Sequence, residues 1–238
     1  MSEQYYLDPT CSHVTGNEAV LGGDDAHHFV RVMRGKIGDE IRLFDGKGLR
    51  FRGAVETIRK TELGVRIIET DSTSTESPVR LTIASALPKG DRQKFLIEKL
   101  TELGVSRFVP LRCERNVSKA DDAVLNRLRR QVIEASKQSL RTVLMEIGDE
   151  MSFGDFAEFF GQKFLPHPVF DTKIGQTTFP DELTENVLVA VGPQGGFTPS
   201  ETATALDCGF APVDLGPRFL RTETACIAAA AILLRPAT

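Results

Sequence analysis

The chain has 238 residues, 41% of them apolar and 26% charged, and carries a formal net charge of −4 at pH 7. That composition describes an ordinary globular protein of one large domain or two small ones, and the negative charge argues against a sequence-independent polyanion binder. The longest apolar stretch, Ala225 to Leu234, is about half of what a membrane span needs, and MSEQYYLDPTCSH lacks the basic-then-apolar order of a signal peptide.

In chain order, DDAHHFVRVMR reads as a helix with Ala26, Phe29, Val30 and Met33 on one face. EIRLFDGKGLRFRGAVETI reads as a hairpin: Ile41 and Leu43, the turn Asp45-Gly46-Lys47-Gly48, then alternating Leu49, Phe51, Gly53 and Val55. LGVRIIET is a further strand, so a small β-rich module precedes the polar linker ETDSTSTESP, Glu69 to Pro78. After the linker the rhythm becomes strand, helix, strand, helix. VRLTIASAL and RFVPL are strands flanking the amphipathic helix DRQKFLIEKLTELG, with Phe95, Leu96, Leu100 and Leu103 inward and Gly104 at its end. A long basic helix runs from Asp121 to Leu140, and HPVFD and NVLVAVG suit buried parallel strands. TPSETATALDCG opens with the capping box Thr198-x-x-Glu201 and Pro199, PVDLG is one more strand, and Thr222 to Leu234 closes the chain as a helix capped by Thr222. The alternation specifies an α/β domain around a parallel sheet.

Charge is unevenly placed. Ten Lys/Arg stand against five Asp/Glu from Arg31 to Arg66, thirteen against seven from Lys89 to Arg141, and two against eleven from Thr142 to Ala211. Such runs fit either a solvated face or a basic surface assembled for nucleic-acid phosphate. The four cysteines, Cys11, Cys113, Cys208 and Cys226, form no C-x-x-C pair and read as reduced thiols of a cytoplasmic protein rather than disulfides or zinc ligands.

Two loops after predicted strands stand out: VGPQGGFT, Val191 to Thr198, and LGPRFLRTET, Leu215 to Thr224. Ligands of open parallel sheets bind outside the carboxyl ends of the strands, and glycines let the backbone approach them closely. A tight turn would explain Gly192, Gly195 and Gly196 if that loop stood alone; two such loops in successive strand-to-helix connections favour a site. Neither matches G-x-G-x-x-G or G-x-x-x-x-G-K-[ST], so the dinucleotide and P-loop readings fail. No metal-ligand spacing is present, His27 and His28 being adjacent and in the other module, and a Ser-His-Asp hydrolase would depend on His167 alone. What remains is a backbone-lined pocket with Arg221 and Glu223 at its mouth, suited to a bulky organic cofactor; a surface ion pair beside a helix cap is the alternative for those two residues.

HHFVRVMRGKIGDEIRLFDGKG, KFLIEKLTELGVSRFVPLRCERNV, VGPQGGF and LGPRFLRTETA resemble, in this order and over nearly the whole chain, the RsmE family of SPOUT-class methyltransferases. The resemblance implies an N-terminal PUA-like β-barrel domain for RNA, residues 1–72, and a C-terminal SPOUT-type α/β domain, residues 78–238, with a parallel sheet and a trefoil knot. It implies S-adenosyl-L-methionine as cofactor, held by Gly192, Gln194, Gly195, Gly196, Leu215, Gly216, Leu220, Thr222 and Ala225. It also implies methylation of N3 of a uridine in small-subunit (16S) rRNA, m3U1498 in the usual rRNA numbering, by a cytoplasmic homodimer using neither metal nor membrane.

On this reading Arg221 holds the developing uracil anion and Glu223 orients Arg221 or accepts a proton, making these two the catalytic candidates. Arg31, Arg34, Lys36, Arg52, Lys89, Arg92, Arg115 and Arg141 are the candidates for RNA phosphate. Departures from the family pattern are Gln194 for a usual Glu, Leu140 for a usual Gly, Leu144 for a usual Pro, and no arginine in MSEQYYL. Gln138, Ser139 and Arg141 match. The other readings are a SPOUT RNA methyltransferase with a different target nucleotide, and a non-catalytic RNA-binding or ribosome-assembly factor.

Overall fold

In the computed structural model, which describes residues 4–116, 118–166 and 178–235, the apolar runs of the second half become a parallel sheet and the alternating runs of the first half a curled one. The chain clusters into two compact units, Met1–Glu76 with Ile133–Leu144, and Ser77–Val132 with Met145–Thr238.

The first unit contains β1 (Gln4–Tyr6), β2 (His13–Thr15), β3 (Glu18–Gly22), α1 (Gly23–Arg31), β4 (Glu40–Phe44), β5 (Arg50–Ile58) and β6 (Glu62–Asp71). These strands make a half-barrel sheet in the order β1-β4-β5-β6-β3-β2. The β4–β5 hairpin has Ile41 opposite Gly53 and Leu43 opposite Phe51. Leu49 lies before β5 and is exposed, so the buried alternation keeps the expected phase but begins at Phe51. A Cβ on Gly53 would stand 2.5 Å from a Val65 methyl and 2.8 Å from the Arg66 carbonyl oxygen, so glycine alone fits where the β5–β6 register shifts. Ala26 and Phe29 of α1 enter the core with Leu21, Leu43 and Leu63, but the helix ends at Arg31 and Met33 is exposed.

The remote segment Ile133–Leu144 is fixed to this unit by polar contacts with no periodic sequence signal. Fully buried Gln4 donates its Nε2 to the carbonyl oxygens of Ser136 and Arg141, both at 3.0 Å. Lys137 pairs with Asp25, whose other oxygen accepts the Tyr6 amide at 2.8 Å. Burial pulls the Lys137 ammonium down, but its bonds to Asp25 and Glu134 outweigh that and hold it above its usual range.

The second unit contains β7 (Arg80–Ser85), α2 (Asp91–Glu102), β8 (Arg107–Arg112), the first part of α3 (Asp122–Ser139), β9 (Glu146–Ile147), β10 (Met151–Ser152), α4 (Phe153–Ala157), β11 (Gln162–Pro166), β12 (Asn186–Val191), α5 (Pro199–Asp207), β13 (Ala211–Val213) and α6 (Thr222–Leu233). The sheet order is β10-β8-β7-β12-β11-β13, β9 also pairs with β8, and every pairing is parallel. The strand expected at HPVFD falls outside the described residues, and β11 ends just before it.

Strands β7 and β12 are central and buried on both faces: Leu81, Ile83, Ala84 and Val187 to Ala190 are at most 3% exposed. Helix α2 buries Leu96, Ile97 and Leu100, each stabilising the fold by about 2 kcal/mol. Phe95, expected inward, is 48% exposed, because Ile97 occupies the inner face instead. Gly104, at φ +88°, terminates α2 in the left-handed conformation that glycine adopts without strain.

Candidate functional site

At the carboxyl ends of β11 and β12, a cavity of about 390 Å³ opens between the two glycine-containing loops and the first turn of α6. All nine residues expected to hold a cofactor line it, from Gly192 to Gly196 on one loop and from Leu215 to Ala225 on the other. Six further residues not singled out from the sequence line the same cavity: Pro166, Val191, Pro193, Phe197, Arg218 and Phe219. Pro166 was hidden because the strand leading to it was read several residues too late. Arg218 and Phe219 stood in the recognised motif, where nothing marked which of its side chains face inward.

Local chemistry explains the loop shapes. A Cβ on Gly192 would lie 3.0 Å from the Phe197 amide nitrogen, so any larger residue would press the returning chain outward by a few tenths of an ångström. Gly196, at φ +69°, donates its amide to the Pro193 carbonyl at 2.7 Å. The loop then enters α5 through the expected capping box: Glu201 accepts the Thr198 amide at 2.8 Å and Thr198 accepts the Glu201 amide at 3.2 Å. Glu201 also accepts the Glu114 amide at 2.8 Å, and Arg115 donates to the Gly195 carbonyl at 2.6 Å. Arg115 therefore braces the loop from outside, a contact not foreseen for a residue expected only on RNA. On the second loop, Gly216 donates to Asp214 at 2.7 Å.

Thr222 does not cap α6. Arg221 is the cap residue, with extended backbone and no side-chain cap bond, while Thr222 is the first helical residue and donates its hydroxyl to the Gly192 carbonyl at 3.1 Å. The hydroxyl donates to a buried carbonyl of the other loop, so the threonine ties the two loops together.

Arg221 and Glu223 part company. Arg221 is exposed and outside the cavity lining, and its side chain has no hydrogen bond or ion pair among the described residues; Arg218 is the arginine on the wall. Glu223 is 5% exposed and also off the wall. Its Oε1 stands 3.8 Å from Arg92 Nη1, and its inaccessible Oε2 has no hydrogen-bond partner.

The remaining basic candidates divide by environment. Arg31, Arg34, Lys36 and Lys89 are exposed. Arg52 pairs with Glu69 at 3.0 Å and Glu40 at 3.2 Å. Arg141 needs correcting: it is 5% exposed and forks onto Glu76, so its charge is neutralised inside the first unit and does not face phosphate. Arg42 and Arg50, not singled out from sequence, line a concavity of about 320 Å³ in the first unit with Arg52 and Leu140. The usable signal was period-two spacing, since Arg42 is the cross-strand partner of Arg52 and Arg50 lies two residues before it. Among the described residues no three His, Cys, Asp or Glu stand together as metal ligands, and no helix is long and apolar enough to cross a membrane. His167 lies outside the described residues.

Residues 75–234 match the RNA methyltransferase domain family and residues 21–68 the RNA methyltransferase PUA domain. These matches, with a half-barrel module and a parallel-sheet domain carrying a glycine-lined cavity, define an RNA methyltransferase. The chain is 30% identical over 236 residues to the ribosomal RNA small subunit methyltransferase E of Bacillus subtilis, covering 94% of this chain and 92% of that one. It is 34% identical over 208 residues to the enzyme of the same name from Synechocystis sp., covering 84% and 67%. The chain belongs to the ribosomal RNA small subunit methyltransferase E (RsmE) family.

Among solved structures, the Neisseria gonorrhoeae enzyme of that name bound to S-adenosyl methionine superposes with a TM-score of 0.86 at 27% identity, over 98% of this chain and 97% of that one. A Legionella pneumophila methyltransferase in complex with the same cofactor gives 0.87 at 29% identity, over 98% and 97%.

Proposed function

We propose that this protein transfers a methyl group from S-adenosyl-L-methionine to N3 of a uridine in small-subunit ribosomal RNA, m3U1498 in the usual numbering. The observation that carries this reading is that the nine residues the resemblance implies for the cofactor, from two separate loops and α6, line one cavity at the carboxyl ends of β11 and β12. The fit to the cofactor is chemical. Glycine-rich main chain offers amide and carbonyl groups for a nucleoside and an amino acid, and Pro166, Phe197, Leu215 and Leu220 offer apolar contact. When bound, the cofactor supplies an electrophilic methyl group.

The protein's own residues have three tasks. The loops 192–196 and 215–220 hold and orient the cofactor, with Thr222 locking one to the other. The target base must be unpaired or flipped, because N3 lies on its Watson–Crick edge. Arg221, exposed at the start of α6 with its side chain uncommitted among the described residues, holds the negative charge on the uracil as the N3 proton leaves.

The module matching the PUA domain, with Arg31, Arg34, Lys36 and Arg52, binds RNA phosphate together with Lys89 and Arg92. The two loops and α6 make the trefoil knot, two copies pair as a homodimer, and the enzyme works in the cytoplasm without a metal.

The test supplies isotopically labelled cofactor with small subunits from cells lacking the enzyme, followed by nucleoside mass spectrometry. Labelled 3-methyluridine is expected, falling by roughly 10²–10³ in rate in Arg221→Ala. A different methylated nucleoside would overturn the target assignment, and transfer to no RNA would overturn the activity.

A further inference from the structure

Glu223 presents an unusual arrangement for a buried ion. Among the described residues it is 5% exposed, its Oε2 has no hydrogen-bond partner, and its one ion-pair partner, Arg92, stands 3.8 Å from Oε1. Buried carboxylates are normally satisfied by several donors, and an orphaned one calls for a reason. The hydroxyl of the adjacent Thr222 is committed elsewhere, to the Gly192 carbonyl. The amino end of α6 favours a negative charge at this position but gives the side chain no bond. Arg92 is the mirror image. Its side chain is 38% exposed, and apart from Glu223 it has no polar partner among the described residues, so most of its N–H donors remain free.

Arg92 occupies the first turn of α2, in the connection that leaves the carboxyl end of β7. Strand β7 is the parallel neighbour of β12, whose following loop lines the cofactor cavity. The pair therefore stands on the same edge of the sheet as the cavity, one strand over.

We infer that Glu223 is a positioning residue that acts through Arg92: its buried charge holds the Arg92 guanidinium at the sheet edge, where the outer N–H groups clamp a backbone phosphate of the RNA substrate. A planar guanidinium braced from behind by a carboxylate presents a fork suited to phosphate oxygens. This assigns Glu223 neither proton transfer nor orientation of Arg221, with which it forms no ion pair. The inference rests on the reading of the chain as an RNA-binding methyltransferase.

The experiment measures binding, not turnover. Small ribosomal subunits lacking the modification are titrated with wild type, Arg92→Ala, Glu223→Gln and the double variant over a range of salt, and cofactor affinity is measured by calorimetry. Arg92→Ala and Glu223→Gln are each expected to weaken subunit binding by roughly tenfold. The double variant should bind no more weakly than Arg92→Ala alone, Glu223→Asp should recover part of the loss, and the Arg92→Ala salt slope should fall by about one.

Wild-type binding by Arg92→Ala overturns the inference; where that variant, which strands the buried Glu223 charge, fails to fold, wild-type binding by the double variant overturns it instead. A Glu223→Gln loss that persists undiminished on the Arg92→Ala background also overturns it, as does an equal loss of cofactor affinity. A chain that forms no 3-methyluridine yet shows this coupling would lose the proposed reaction and keep the clamp.

Discussion

The Thr222 hydroxyl and the Gly192 carbonyl, thirty positions apart in sequence, meet at 3.1 Å in the buried floor between the two cofactor loops. The bond matters because a side chain at Gly192 would crowd Phe197, and the Gly192 carbonyl has no other donor among the described residues. Replacing Thr222 by valine keeps the shape and removes the donor, leaving a buried carbonyl unsatisfied at a cost of about 1–3 kcal/mol. Thr222→Val is expected to lower the melting temperature by several degrees and cofactor affinity by roughly tenfold, with Thr222→Ser close to wild type. Calorimetry and a thermal melt check both, and unchanged affinity in Thr222→Val would remove the tie from the binding argument.

Leu140 has φ +60°, a conformation that costs an ordinary L-residue roughly 1–2 kcal/mol and glycine almost nothing. Its carbonyl accepts from Arg50 at 3.0 Å, which holds the turn in place, and its side chain is 37% exposed. Leu140→Gly therefore loses little packing and relieves the strain. The expected outcome is a stabilisation of about 1 kcal/mol, or 2–4 °C in melting temperature, measured by denaturant and thermal unfolding. A destabilised glycine variant would mean that leucine packing outweighs the strain.

These two cases show what the sequence makes legible. The capping box at Thr198 and Glu201, the hairpin from Ile41 and the stop at Gly104 follow from local chemistry, and the structure has them as expected; the nine residues named for a cofactor come from a motif and share the lining of one cavity. Thr222 was misread as a cap because its type suits one; only tertiary structure brings the Gly192 carbonyl within reach. Strand β1 was invisible, being three residues long and paired in parallel with a strand over thirty positions away. The segment 133–144 reads as a helix end and belongs to the first unit through Gln4 and Asp25, single polar residues without periodicity.

Arg141 carries the same lesson into energetics. It is buried and forked onto Glu76, which lies in the stretch read as a free linker. Removing one partner strands the other charge, so Arg141→Ala is expected to destabilise the protein by roughly 3 kcal/mol. Its salt slope for RNA binding should match wild type wherever the variant is folded, in contrast with Arg92→Ala. A slope reduced by one in folded Arg141→Ala would return this arginine to the RNA surface.

Burial pushes the thiols of Cys113 and Cys226 from the ordinary 9.0 up to about 12, with smaller additions from Glu201 and Glu223 respectively. Thiolate is the reactive form, so neither should react with iodoacetamide at pH 8 in the native protein, while Cys11, which is exposed, should. The linkage has a definite sign. Above about pH 9 the unfolded chain gives up these two protons while the folded chain retains them until about pH 12, so the unfolded state binds fewer protons and stability falls with rising pH across that window. Cys113→Ala with Cys226→Ala should flatten this decline relative to wild type in urea unfolding curves between pH 8 and 10, independently of their packing cost at pH 7. An unchanged pH slope in the double variant would show that other groups govern the alkaline limb.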